Sequence, residues 1–280
     1  MATLVGAMHS PRLRAMVVPR EHGAWGMLLV PLATGALIAA RTAIHGLALA
    51  FFVVAALALF WLRTPVEAWI GTSAVRVRNR QERKAVLWIT VALSIVVVGA
   101  IGALFRLGYS QGLLWVGALA AVSFVLQALV KRLGRRGRTP SQIIGAVGLT
   151  STAAGAHYVA TGHLNLLAGS LWIANWLFAC NQVHFVQLQI HAGRASSARE
   201  KFRRGYLFLI GQAALLIVIG VLIWLDIWPK LMMLAFLPAI FRGTAWFLRG
   251  PQPLDVHKLG FSELFQSILF GALLCMAFVV

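Results

Sequence analysis

Long apolar runs, separated by short basic or glycine- and proline-containing breaks, dominate this 280-residue sequence. A helix needs about 20 predominantly apolar residues to span a hydrocarbon core of about 30 Å. The runs lie at approximately 24–40, 43–62, 85–105, 113–130, 142–160, 164–190, 205–225, 230–248 and 261–280. They predict an all-α polytopic transmembrane bundle of about nine helices that forms a single integral membrane domain, residues 1–280.

Composition excludes a soluble globular domain. Hydrophobic residues make up 60% of the chain before glycine is counted, and charged residues 11%, whereas soluble domains are about 45–50% apolar and about 25% charged. The net charge of +18 does not indicate nucleic-acid binding, because the basic residues punctuate apolar runs and do not cover a solvated face. We expect the lipid bilayer and anionic lipid headgroups as partners, with no nucleic acid, and the pattern favours no particular oligomeric state.

The basic residues are distributed unequally between the two sides of the predicted bundle. All but three of the 25 Lys and Arg residues fall on the side of the N-terminus, and the exceptions are Arg41, Arg106 and Lys230. The positive-inside rule therefore places the N-terminus in the cytoplasm and, with nine spans of the cell membrane, the C-terminus outside. No clear cleavage site follows the first basic residues, so we expect the first span to be retained.

The start of the first span combines polar and aromatic residues. Pro19 and Glu21 suit a helix start, where proline costs little and a carboxylate meets the positive end of the helix dipole. Alternatively, Glu21, His22 and Trp25 line a ligand site at the cytoplasmic mouth of the bundle, since a carboxylate at the membrane boundary usually has a partner. Both interpretations stay open.

Two further groups of candidates surround the breaks after spans two and six. Arg63 and Glu67 can pair at i,i+4, while Arg76, Arg78 and Arg80 offer forked donors for phosphate or diphosphate. Polar side chains also share one face of span six or lie close to it. These are Asn181, His184, Gln187 and His191. They predict either interhelical hydrogen bonds, a ligand site, or a metal or haem site.

Arg242 lies well inside span eight, and Glu263 opens span nine. One interpretation has the long Arg242 side chain reach the cytoplasmic surface. The other has Arg242 face a cavity and pair with Glu263 or an anionic ligand, because an unpaired charge in a membrane is costly. The two cysteines, Cys180 and Cys275, match neither a metal spacing nor a disulfide framework, and we predict no resident metal.

The segment Pro-Arg-Glu-His-Gly-Ala-Trp at 19–25 resembles the E-H-G-x-W signature of the YwiC-like family of bacterial integral membrane proteins. The Arg63-Thr64-Pro65 turn after span two extends the likeness. The resemblance implies a multi-pass membrane protein and assigns no catalytic residue.

In topology the chain more distantly resembles the UbiA superfamily of intramembrane prenyltransferases. That resemblance implies a UbiA-like bundle with active-site loops after spans two and six, where aspartate-rich motifs hold Mg²⁺ for a prenyl diphosphate. This chain departs from the pattern, because Glu67 is the only acid at the end of span two. In span six, Asn181, His184 and His191 stand roughly where aspartates are expected. Mg²⁺ is therefore expected only if a diphosphate ligand binds.

The sequence thus predicts a basic cytoplasmic face and a polar cavity between the starts of spans one and nine and the ends of spans two and six. We expect this cavity to bind an isoprenoid or lipid diphosphate, as in a degenerate prenyltransferase. The alternatives are a transporter for a small anion or lipid and a non-catalytic membrane scaffold.

Overall fold

A computed structural model describes residues 11–19, 22–42, 44–71, 73, 75, 77–193, 195, 197–249 and 255–279, and every regular element in these ranges is helical. The α-helices are α1 (Pro11–Val17), α2 (His22–Ala39), α3 (Gly46–Ile70), α4 (Arg80–Arg106), α5 (Ser110–Lys131), α6 (Arg138–Thr150), α7 (Thr152–Thr161), α8 (Leu166–Ala192), α9 (Ala198–Trp224), α10 (Met232–Leu248) and α11 (Val256–Val279). A short 3₁₀ turn, Gly134–Gly137, precedes α6.

The helices from α2 to α11 coincide with the predicted apolar runs, and α6 and α7 share one of these runs. Six helical segments are long and apolar enough to cross a membrane: Gly46–Ile70, Arg80–Arg106, Ser110–Lys131, Arg138–Thr161, Arg199–Trp224 and His257–Val279. Two shorter apolar helices, Gly23–Ala39 and Met232–Leu248, accompany them. The described chain is therefore an all-α polytopic bundle, as predicted, while the crossing of all nine predicted spans stays a prediction.

Charged contacts mark one end of the bundle, which we call the basic end. Here α3, α5, α8 and α10 finish, and α2, α4, α6, α9 and α11 begin. Arg12 of α1 pairs with Glu82 at the start of α4, with 2.9 Å between Nε and Oε1. The Lys201 ammonium at the start of α9 donates to the backbone oxygens of Trp246 and Arg249, at 2.7 and 2.6 Å.

Local sequence explains why α4 and α9 begin where they do. The side chain of Asn79 accepts a hydrogen bond from the backbone N–H of Glu82 at 2.7 Å, and Ser197 accepts one from Glu200 at 3.2 Å. A capping side chain with an acid three residues later satisfies orphan N–H groups and suits the positive end of the helix dipole. Both helices therefore start with a polar turn at the basic end and become apolar towards the interior.

Helix α2 runs through the centre of the bundle and packs against α6, α7, α8 and α11. Beyond it on one side, α8 to α11 enclose an aromatic core in which the Phe178 and Phe270 rings stack with 4.0 Å between centroids. On the other side, α4 packs on α3, and α5 packs on α6. Helix α2 contacts helices on both sides of the bundle, and its packing against α7 therefore helps to fix the position of one side relative to the other.

We expect Gly35→Ala to destabilise the protein strongly. A Cβ at Gly35 would overlap the carbonyl oxygen of Ala153, and overpacking of this kind typically costs about 1–3 kcal/mol. Gly99→Ala is the matched control, because a Cβ at Gly99 meets nothing within 4 Å and alanine favours a helix over glycine by about 1 kcal/mol. Thermal unfolding of the detergent-purified variants measures the difference. Equal melting temperatures for the two variants would contradict the close crossing of α2 and α7.

Candidate functional site

An apolar cleft of about 730 Å³ lies between α3, α4, α5 and the α6–α7 pair. Its walls are formed almost entirely by aliphatic and aromatic side chains, among them Phe52, Leu59, Leu104, Leu113, Phe124 and Leu149. Along α3 the lining extends from Phe52 to Val66, a rise of about 21 Å at about 1.5 Å per residue. Binding sites for small molecules typically enclose about 300–1,000 Å³, so the cleft is large enough for a long apolar ligand.

Polar side chains occur where the cleft approaches the basic end. Arg63 of α3 and Gln127 of α5 line the cleft there. The Nε of Arg63 lies 2.9 Å from Oε1 of Glu67, and Lys131 of α5 places its Nζ 2.8 Å from the same oxygen. We call these four residues, Arg63, Glu67, Gln127 and Lys131, the mouth cluster.

The mouth cluster retains binding capacity that its internal contacts do not use. Arg63, Glu67 and Lys131 together carry one net positive charge, and their side chains are largely buried. Arg63 uses its Nε for Glu67, which leaves its two terminal amino groups without a hydrogen-bond partner in the described part of the chain. A forked, partly buried guanidinium of this kind suits a phosphate or carboxylate.

Gln127 brings an uncharged amide to the same part of the cleft. Its side chain lines the cleft, and its amide lies against Gly145 of α6. Gln127 and Lys131 are four residues apart on α5 and therefore lie on one face of that helix.

The structure separates the predicted arginine group after α3 from the cleft. Arg78 and Arg80 are exposed and do not line the cleft, and Arg76 lies outside the described residues. The backbone N–H of Arg78 donates to Oε2 of Glu82 at 2.8 Å, and the other oxygen of this carboxylate accepts from Arg12. Glu82 thus ties the loop to α1 at the basic end.

The candidates at the start of α2 contribute to packing where the structure describes them. The Trp25 ring packs edge-on against Phe60, with 4.8 Å between centroids, in a cluster with Leu28. Glu21 and the His22 side chain lie outside the described residues. Trp25 is therefore a partly buried residue that packs against this cluster, and its predicted role in ligand binding stays untested.

The sequence predicted a polar cavity between the starts of α2 and α11 and the ends of α3 and α8, and this cavity stays a prediction. The Gln182 amide of α8 donates to Oγ of Ser267 and to the backbone oxygen of Glu263, both at 2.9 Å. A gap of only about 10 Å³ is left beside Gly26 and Ser267, which is about the room that one water needs. The Gln182 amide thus holds α8 against α11.

The polar face predicted for α8 does not converge on one site. Gln187 donates to the side-chain oxygen of Gln142 on α6 at 3.0 Å. The His184 ring instead lies beside Gly211 of α9, and His191 is exposed with Nδ1 2.8 Å from the backbone oxygen of Gln187. Asn181 is buried. Since Gln187 and His184 lie against different helices, the interhelical interpretation fits these contacts best.

Arg242 and Glu263 form the ion pair that the sequence offered as one interpretation. Nη1 of Arg242 lies 2.5 Å from Oε1 of Glu263, and Nη2 lies 3.3 Å from Oε2. The guanidinium also stacks over the Phe185 ring at 4.1 Å. The pair is largely buried and joins α10 to α11 at the basic end.

Metal-ligating side chains are dispersed in the described chain, where no group of three or more His, Cys, Asp or Glu could hold a metal ion. Sequence reasoning missed the cleft, together with Gln127 and Lys131. The available signal was a single amide in the apolar run 113–130, four residues before a lysine. Arg63 and Glu67 were predicted, and the structure places them at the mouth of this apolar cleft.

The profile of a family described as YwiC-like protein matches residues 18–157, which is half of the chain. No curated protein and no solved structure matches it, so the topological resemblance to the UbiA superfamily stays a prediction. The matched segment includes every residue that lines the cleft.

We expect Glu263→Gln to destabilise the protein by about 3 kcal/mol, because it leaves the buried Arg242 without its counter-ion. The double variant Arg242→Met/Glu263→Met should recover most of this loss, since an apolar pair removes both charges. Asp255→Asn is the control for charge removal, because Asp255 pairs with Lys258 in an exposed position and should show no measurable change. Thermal unfolding in detergent measures all three. A double variant that is less stable than Glu263→Gln would contradict the role assigned to the pair.

Proposed function

We propose that this multi-pass membrane protein, which belongs to the YwiC-like protein family, binds an amphiphile with one long apolar chain and a phosphate or diphosphate head. The chain would lie in the apolar cleft and the head at the mouth cluster. The observation that carries this proposal is the position of Arg63 at the charged end of an otherwise apolar cavity, with terminal amino groups that have no hydrogen-bond partner among the described residues.

The apolar walls support a hydrocarbon ligand over a water-soluble one. An apolar chain loses nothing when it moves from lipid into such walls, because lipid tails and aliphatic side chains are nearly equivalent solvents, whereas a polar metabolite would lose its hydration there without compensating hydrogen bonds. Isoprenoid chains and single acyl chains share the required shape. The phosphate head then distinguishes such a ligand from the neutral lipids around the protein.

The mouth cluster supports an anionic head. Arg63 can present two parallel N–H groups to a phosphate, Lys131 supplies a second charge, and Gln127 supplies an uncharged donor. Glu67 already neutralises one of the two cations. The cluster therefore favours a head whose remaining negative charge is hydrated at the membrane surface.

We propose binding without a prenyl-transfer step. Ionisation of an allylic diphosphate needs oxygen ligands that hold Mg²⁺ against the phosphates. In the mouth cluster the only carboxylate is Glu67, and both Arg63 and Lys131 already contact it. The residues described at this site therefore fit recognition of the head better than its chemical activation.

One observation favours transport as a second candidate function. The two shorter apolar helices, α2 and α10, each contain an internal proline, Pro31 and Pro238. Proline-interrupted short helices in corresponding halves of a chain point to a substrate site in many transporters. Uptake or release of a labelled phospholipid by proteoliposomes would favour this alternative over binding alone.

We also propose that the basic end faces the cytoplasm of the cell, with the C-terminus outside, because positive charge collects on the cytoplasmic side of such bundles. In a background with Cys180 and Cys275 replaced by alanine, we compare the single-cysteine variants Arg132→Cys and His163→Cys, both at exposed positions. A membrane-impermeant maleimide should label His163→Cys in intact cells and Arg132→Cys only after permeabilisation. The reverse pattern would overturn the proposed orientation.

Geranylgeranyl diphosphate should raise the melting temperature of the detergent-purified protein by several degrees at saturation, since a ligand of the native state stabilises it by about 2.7 kcal/mol at 100 times its Kd. Geranylgeraniol, which lacks the charged head, should raise it less. The shift caused by lysophosphatidic acid, which carries a single acyl chain, shows whether the cleft prefers an isoprenoid or an acyl chain. A shift that is equal for the alcohol and the diphosphate would contradict recognition of the head.

Matched variants locate the binding. Gly117→Leu fills the cleft and should abolish the shift, whereas Gly99→Leu adds the same side chain outside the cleft and should keep it; a Cβ at either glycine meets nothing within 4 Å. Arg63→Gln should weaken ligand binding about tenfold, because it removes about one charge-assisted hydrogen bond, and the shift in melting temperature should fall accordingly. The exposed Arg132→Gln should leave the shift unchanged. Loss of the shift in the control variants as well would mean that the ligand binds elsewhere.

A further inference from the structure

Consecutive helices α4 and α5 diverge after the turn that joins them. The turn at residues 107–109 is short, yet α4 packs along α3, and α5 packs along α6. The cleft occupies the space between them and is open on this side, where Phe105 of α4 and Leu114 of α5 line it with 40% and 59% of their surface exposed. We call this opening the α4–α5 gap.

Small side chains border the α4–α5 gap on α5. Gly117, Ala118 and Ala121 are exposed and line the cleft, and a Cβ at Gly117 would meet nothing within 4 Å. On α4, Gly102 is likewise exposed with open space around its Cβ position. From Leu114 to Ala121 the edge of α5 rises about 10 Å at about 1.5 Å per residue, so the opening is long enough for a hydrocarbon chain to pass.

We infer that the ligand enters the cleft sideways from the bilayer through the α4–α5 gap and that the gap admits polyprenyl phosphates with chains longer than the cleft. This inference rests on the proposed function, since it assigns the chain class of the same ligand. The excess chain continues through the gap into the surrounding lipid.

The position of the charges supports sideways entry. Arg63 and Lys131 lie at the basic end of the bundle, where lipid headgroups would also lie. A lipid that moves laterally therefore keeps its head at the membrane surface throughout, and only its apolar chain passes the gap. Entry through the middle of the bundle would instead carry the charged head past apolar walls, which is costly in a membrane interior.

An open side lets the cleft accept chains that are longer than the cleft itself. The lining spans about 21 Å along α3, compared with about 15 Å for one leaflet of a hydrocarbon core about 30 Å thick. A ligand that arrives from lipid gains little from each CH₂ group that moves into the cleft, since lipid tails and aliphatic side chains are nearly equivalent solvents. A closed pocket would reject chains that are too long, because overpacking is unfavourable, but an open side removes that penalty.

The test compares prenyl monophosphates with two, three, four and eleven isoprene units, bound to the full chain in phosphatidylcholine nanodiscs. With the concentration of each compound expressed per mole of lipid, we expect the four- and eleven-unit compounds to agree within about threefold, because moving a chain from lipid into the cleft contributes little. Binding of the eleven-unit compound that is weaker by tenfold or more would overturn the open gap while leaving the proposed function intact. No saturable binding of any member would overturn both.

Variants at the gap provide a second readout. Ala121→Trp narrows the gap and should weaken binding of the eleven-unit phosphate about tenfold more than binding of the four-unit phosphate. Val122→Trp is the matched control, because Val122 is exposed on the same helix but does not line the cleft. Thermal unfolding without ligand checks that both variants are folded, and Ala118→Trp replaces Ala121→Trp if the latter is not. If Ala121→Trp weakened binding of the four- and eleven-unit phosphates equally, the tryptophan would be filling the cleft and not narrowing the entrance. That result would overturn the inference.

Discussion

The cost of an unpaired charge in hydrocarbon determines how this bundle is held together. The side chains of Arg12, Arg63, Lys131 and Arg242 each find a carboxylate, and all of these pairs lie at the basic end. The pairs of Arg12, Lys131 and Arg242 join different helices, which the apolar surfaces alone would leave free to rotate or slide, since lipid tails and aliphatic side chains are nearly equivalent solvents for one another. Arg63 and Glu67 both lie on α3. The ion pairs therefore fix which helix ends meet, and the apolar packing adapts to that arrangement.

The cleft is a consequence of how few such connections α5 makes. Lys131 ties the end of α5 to α3 through Glu67. Along the rest of its length α5 follows α6, where Gly148 donates its backbone N–H to Ser123 at 3.1 Å and Gly145 closely approaches the Gln127 amide. With α5 held on α6, and α4 on α3, none of the described helices fills the space between them. The same glycines that bring α5 and α6 together thus leave an apolar volume on the other side of α5.

The sequence predicted the helices well because apolar length is a local property. It also offered the pairing of Arg242 with Glu263 and that of Arg63 with Glu67, since few acids are available to many basic residues. It failed to predict the cleft, because the position of that volume depends on which helices do not touch, and α4 and α5 are neighbours in the chain. The polar cavity that the sequence indicated stays a prediction, and where Gln182 meets Ser267 the two side chains hydrogen-bond to each other.

Glu67 has a further consequence for the kinetics of the site. One carboxylate oxygen serves both Arg63 and Lys131, so an arriving phosphate competes for these cations with an anion that is covalently part of the protein. Competition from the Glu67 carboxylate lowers the affinity of the site for the phosphate. The same carboxylate pairs with Arg63 and Lys131 again as soon as the ligand dissociates. Under the proposed function the protein would therefore exchange its lipid readily, as a carrier or presenting protein must, and would not retain it as a permanent cofactor.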